Sequence, residues 1–142
     1  MNRRRVPGWL FCAVLAAAGL AAASDGPRAS AAWARATPPG VSVGAAYLRI
    51  DGGTRADRLV GASSPRAERI EFHRVAYVDG MMRMRRMEAI ELPVGARVDL
   101  APQALHLMLI GLTAPLRAGE TLQLTLRFES AGEQSIEAQV RD

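Results

Sequence analysis

The chain has 142 residues and not one Lys; all 18 basic side chains are Arg. It has a single Cys, Cys12, so no intramolecular disulfide can form. Aromatics make up only 5% of the residues, and there are just two His, His73 and His106. These scarcities exclude CxxC redox chemistry, thiolate-clustered zinc and a disulfide scaffold. No cluster of carboxylates in register supports a hard-metal site. What is present is globular: 49% apolar and 23% charged residues, with 13 Gly and 8 Pro to make turns.

The N-terminus carries targeting information. Met1-Asn2-Arg3-Arg4-Arg5 is a basic patch, followed by an apolar Ala/Leu run from Val6 to Ala23. This is the anatomy of a secretory signal peptide. Small residues offer cleavage after Ala23 or after Ala31, so residues 1–31 are assigned to the signal and 32–142 to one domain. Pro7 and Gly8 interrupt the apolar run, which argues against a stable membrane anchor. Trp9-Leu10-Phe11 before Cys12 are too bulky for a lipobox. Cleavage after Ala23 removes three Arg and leaves 15 basic against 14 acidic residues, a net charge of +1. The basic excess belongs mostly to the signal, so it is no argument for nucleic acid. Cys12 leaves with it, and the exported protein is free of thiols.

Beyond the signal, short runs with strand character recur between Gly/Pro-containing turns. Strands are predicted near Gly44–Ile50, Arg58–Ala62, Ile70–Tyr77, Met81–Met87, Arg97–Leu100, Leu105–Ile110, Thr121–Phe128 and Ser135–Val140. The stretch Trp33–Gly40, with Pro38 and Pro39, is expected to be an extended lead-in. The pattern predicts an all-β sandwich or small barrel.

Five of the six Met are not the initiator, and all lie between His73 and Met108. Side chains two apart on a strand share a face. In Leu105-His106-Leu107-Met108-Leu109 the leucines make one apolar face, so His106 and Met108 project together from the other. Asp79-Gly80 is a hairpin signal. A two-residue loop sets Val75 opposite Met84 with His73 diagonal, and a four-residue loop sets His73 opposite Met84. Either register puts His73 and Met84 on one face, away from Ile70 and Phe72. Parity does not tell whether the two His–Met pairs converge. Met81, Met82 and Met87, taken singly, are expected to pack or to lie on the surface.

Thioethers are soft, neutral ligands that favour Cu(I) over Zn(II), Mg(II) or Ca(II), and imidazole suits copper as well. A blue-copper electron-transfer centre needs a Cys that the exported chain lacks. The remaining readings are a Cu(I) carrier and a metal-free interaction module; a copper redox enzyme would need more His ligands.

His73, ten residues, Met84, twenty-one residues, His106, one residue and Met108 form a spacing that resembles the signature of the PCuAC family of periplasmic copper chaperones. Trp33–Gly40, Asp57–Ser64 and His106–Leu112 resemble flanking segments of the same family. The resemblance implies a cupredoxin-like, immunoglobulin-like β-sandwich without the cupredoxin Cys. It implies Cu(I) held by Met84, Met108, His73 and His106, and no catalysis beyond ligand exchange. It implies a periplasmic protein that delivers copper to a respiratory oxidase subunit or another periplasmic copper chaperone, or that buffers copper. Three departures stand out: Val75 occupies a position where many relatives carry an auxiliary Met, the chain stops at Asp142 without a Met/His-rich tail, and the stretch before Trp33 is short and close to a cleavage site, so that a first edge strand of the relatives is expected to be truncated.

Overall fold

The computed structural model describes residues 25–142; most of the predicted signal segment, residues 1–24, lies outside the described residues. Ten strands follow in order: β1 Arg28–Arg35, β2 Val43–Asp51, β3 Asp57–Ser63, β4 Ala67–Val78 and β5 Met81–Met87. After them come β6 Ile90–Leu92, β7 Arg97–Leu100, β8 Leu105–Leu112, β9 Thr121–Phe128 and β10 Gly132–Arg141. No helix occurs among the described residues. The eight predicted strands are all present, most of them longer than the sequence suggested.

Two strands escaped the sequence reading. β1 is Arg-Ala-Ser-Ala-Ala-Trp-Ala-Arg, poor in the β-branched residues that mark strands. It includes Trp33–Arg35, so the expected lead-in is partly a strand inside the sheet. β6 has only three residues.

Hydrogen-bonded neighbours run β5-β4-β8-β2-β1-β10-β9-β3-β6, with β7 also paired to β2. β1 joins the two sides of this path: it runs antiparallel to β2, with Ala29 opposite Ile50 and Trp33 opposite Tyr47, and parallel to β10. Phe72 of β4 and Leu107 of β8 share one core with Leu59 of β3 and Leu124 of β9. The path therefore folds back on itself and packs its two halves face to face, as a cupredoxin-like β-sandwich. Period-two alternation fills that core. Leu105, Leu107 and Leu109 from β8 and Leu122, Leu124, Leu126 and Phe128 from β9 are all buried. Burial of each such side chain contributes about 1.5–3 kcal/mol.

The connection between β9 and β10 is tied down by a buried carboxylate. Asp57 Oδ1 accepts hydrogen bonds from the backbone N–H of Arg58 (2.8 Å) and Ser130 (2.9 Å), and Oδ2 accepts one from Ala131 (3.0 Å). Burial, the largest single influence, pushes the Asp57 carboxyl up. The three N–H donors together outweigh it and hold the group below the usual carboxylate value.

Candidate metal centre

β4 and β5 form a hairpin whose loop is Asp79-Gly80. Both residues have positive φ, 52° and 75°. That is the requirement of a type I′ turn, and Asp-Gly meets it with little strain. Val78 then pairs with Met81 and Val75 with Met84, the two-residue register. Directly opposed residues share a face of the sheet. His73, Val75 and Tyr77 therefore lie on the same face as Arg86, Met84 and Met82.

On its other edge β4 pairs with β8, and here His73 stands directly opposite His106, with Glu71 opposite Met108. This pairing brings the two His–Met pairs to one face, which parity alone did not establish. The imidazole centroids are 6.0 Å apart and the rings tilt by 32°. Met84, His106 and Met108 line a groove of about 410 Å³. His73 lies beside this groove, with its side chain 15% exposed. Met84 is half exposed, at 53%.

His106 projects away from the leucines, as expected, yet only 6% of it is exposed. Tyr47 flanks it, with ring centroids 6.3 Å apart. Tyr47 packs in turn on Trp33 at 4.5 Å, and the Arg141 guanidinium lies 4.0 Å from the Trp33 ring centre. Of this stack, drawn from β1, β2 and β10, Tyr47 lines the groove, and Trp33 and Arg141 lie behind it.

The imidazoles have different polar partners. His73 Nε2 lies 3.0 Å from Glu71 Oε2, and Arg69 Nε lies 3.1 Å from Glu71 Oε1. Arg86 adds a longer contact at 3.7 Å. The hydrogen bond from His73, then that from Arg69, hold the Glu71 carboxyl below its ordinary range; the Arg86 and Arg69 charges add to this and desolvation opposes it. His106 Nδ1 lies 3.1 Å from the Ala104 carbonyl oxygen. His73 Nδ1 is buried and has no hydrogen-bond partner among the described residues.

No group of three or more His, Cys, Asp or Glu side chains among the described residues is placed to hold a metal ion. A metal on this face would need the thioethers. Met81 pairs with Val78 and Met87 with Phe72, so both point to the other face; Met87 packs against the core. Met82 is different. It shares a face with Met84 and lines the same groove. Its two-residue offset from Met84 was a readable signal that single-residue reasoning passed over. The same holds for Glu71, two residues before His73. Trp33, Tyr47 and Arg141 carried no such local signal. A second cavity, of about 450 Å³, lies beside Asp57 and the β9–β10 connection and has no His or Met in its lining.

A β-sandwich with a paired His/Met face outside its leucine core is a PCuAC-type domain, and solved structures agree. The copper-bound PCuAC domain from PmoF2 is 30% identical, covering 81% of this chain and 92% of that one, with a TM-score of 0.69. The solution structure of CuI-DR1885 from Deinococcus radiodurans is 28% identical over 87% of this chain and 83% of that one, with a TM-score of 0.66. The chain belongs to the family described as "Putative lipoprotein LpqE-like", which matches residues 28–140. A relative in Leifsonia xyli subsp. xyli (strain CTCB07), named "Putative lipoprotein Lxx21020", is 32% identical over 120 residues, which is 84% of this chain and 72% of the relative.

Proposed function

We propose that this chain is an exported Cu(I) carrier that holds one ion through the thioethers of Met84 and Met108 and the imidazoles of His73 and His106. The observation that carries the reading is the pairing of His73 with His106, on one face with both methionines and with a buried, unpartnered Nδ1 on His73. A buried nitrogen without a partner is costly unless something binds it. Two thioethers and two imidazoles form a donor set matched to Cu(I). The copper-bound PmoF2 domain and CuI-DR1885 support the same reading.

Transfer would proceed by ligand exchange. Met84 sits on an exposed strand and is half open to solvent. An incoming soft ligand from a receiver can approach there while His106 and Met108 still hold the ion. The receiver in this reading is the binuclear copper centre of a respiratory cytochrome oxidase or another copper chaperone; buffering of exported copper is the resting role. The signal sequence supports export, as do the lipoprotein names of the relatives. Cleavage after Ala23 would leave β1 whole, whereas cleavage after Ala31 would sever it between Ser30 and Trp33, so Ala23 is the favoured position.

Native mass spectrometry after anaerobic Cu(I) addition is expected to show a gain of one copper. A competition titration is expected to show strong preference for Cu(I), and equal or tighter Zn(II) binding would sink the assignment. Delivery is tested separately: a deletion strain should lose oxidase assembly at low copper, and a Met84→Ala/Met108→Ala gene should fail to restore it.

A further inference from the structure

We infer that Glu71 and the Ala104 carbonyl lock the two imidazoles in opposite tautomers, so that His73 offers Nδ1 to the ion and His106 offers Nε2. The inference rests on the copper-carrier reading above and names the atoms of that site.

A neutral imidazole has one N–H and one bare nitrogen, and the partner of the first decides which nitrogen is free. Glu71 lies between the Arg69 and Arg86 guanidinium groups, at 3.1 and 3.7 Å. A glutamate carboxylate has acceptor oxygens and no N–H, and Glu71 already accepts from Arg69 Nε through Oε1, leaving Oε2 to face the ring. His73 must therefore donate from Nε2 across the 3.0 Å contact. Its lone pair is left on Nδ1, the buried atom without a partner.

At His106 the logic is the same and the outcome is reversed. The Ala104 carbonyl oxygen can only accept, so Nδ1 carries the proton across 3.1 Å and Nε2 is bare. A side chain on the same face of β4 sets one ring, and a backbone carbonyl just before β8 sets the other. The two rings face each other across the β4–β8 pair, yet they are held at different atoms. Both are thereby pre-set in the state that binds a metal, and neither needs to move a proton between its nitrogens when the ion arrives. Outer partners of this kind fix ring orientation and raise ligand basicity, and their loss typically lowers metal affinity about 10–100-fold. Glu71 is thus a positioning residue that acts through His73.

Long-range ¹H–¹⁵N correlation spectra of the copper-free, ¹⁵N-labelled protein at neutral pH report the tautomers directly. His73 is expected as the Nε2–H form and His106 as the Nδ1–H form. Anaerobic Cu(I) should then shift His73 Nδ1 and His106 Nε2 most. A copper-free His73 protonated at Nδ1, or copper-induced shifts centred on His73 Nε2, would overturn the inference while leaving the carrier reading in place. If neither ring responds to Cu(I), the carrier reading fails and this inference fails with it. Glu71→Ala should give a mixture of His73 tautomers and about 10–100-fold weaker Cu(I) binding. Glu71→Gln, which keeps an acceptor oxygen, should retain the Nε2–H form and most of the affinity. Arg69→Gln removes an ion pair without touching the His73 contact, and should leave the tautomer unchanged. Equal effects of Glu71→Ala and Arg69→Gln on the tautomer would mean that Glu71 acts only through local structure, and would overturn the inference.

Discussion

The molecule contains two long antiparallel hairpins that are built alike and used in opposite ways. In β9–β10, β9 alternates strictly: Leu122, Leu124, Leu126 and Phe128 are buried, and the residues between them face outward. Its connection is pinned by two hydrogen bonds to Asp57, from the backbone N–H groups of Ser130 and Ala131. In β4–β5, six of the seven β5 residues are exposed, and only Met87 reaches the core. Its turn, Asp79-Gly80, is set by backbone conformation and lies at the end of an edge strand. β9–β10 is held by packing and β5 by its ladder to β4. A strand that contributes little to the core is free to carry Met82 and Met84 in the open, where the proposed exchange of an ion would reach Met84.

The sharpest test of this contrast is stability. Leu124→Ala should lower the unfolding free energy by about 2–5 kcal/mol, because a fully buried leucine leaves a cavity. Met84→Ala should change it by no more than about 0.5 kcal/mol, as at other exposed positions. Urea denaturation of the two variants decides the matter, and equal losses would mean that the β4–β5 hairpin is packed after all.

A smaller effect is expected at the pinned end. Asp57→Ala strands three N–H donors and should cost about 1–3 kcal/mol at neutral pH. The sign with pH follows from linkage. The folded-state value of Asp57 lies below the unfolded one, so its contribution is complete above the ordinary carboxylate value of about 3.9. It is lost as pH falls through the lower folded value. The stability difference between wild type and Asp57→Ala should therefore shrink on acidification below about pH 4. A difference that grows instead would contradict the assignment.

On the open hairpin the same kind of change should appear in copper binding and hardly at all in folding. Met84→Ala, or Met108→Ala on β8, should weaken Cu(I) binding roughly tenfold or more, about 1.4 kcal/mol. Met81→Ala and Met87→Ala should have clearly smaller effects, because both face away from the histidines. A Cu(I) competitor titration of the four variants separates a defined site from a diffuse methionine patch. Four equal losses would favour the patch.

Much of this was written locally. The alternation in Leu105–Leu109 assigns leucines to the core and His106 and Met108 to the opposite face, because successive strand side chains must point to opposite sides. Asp79-Gly80 sets the β4–β5 register for a similar reason: the turn type fixes which residues oppose each other. The strand signals of the long elements were legible. Those of β1, made largely of alanine, and of three-residue β6 were too weak to separate from loop.

Other features had no local expression. That His73 stands opposite His106 depends on β4 and β8 being neighbours, although three strands come between them in the chain. That Tyr47, which lines the groove, is backed by Trp33 and Arg141 depends on β1 running antiparallel to β2 and parallel to β10. Sequence alone determined the face of each His and Met, since side-chain direction along a strand follows from the backbone of that strand. Only the tertiary structure decided which faces meet, because strand order is set by how the whole chain closes over one apolar core, and the gain in burying that core belongs to no single segment.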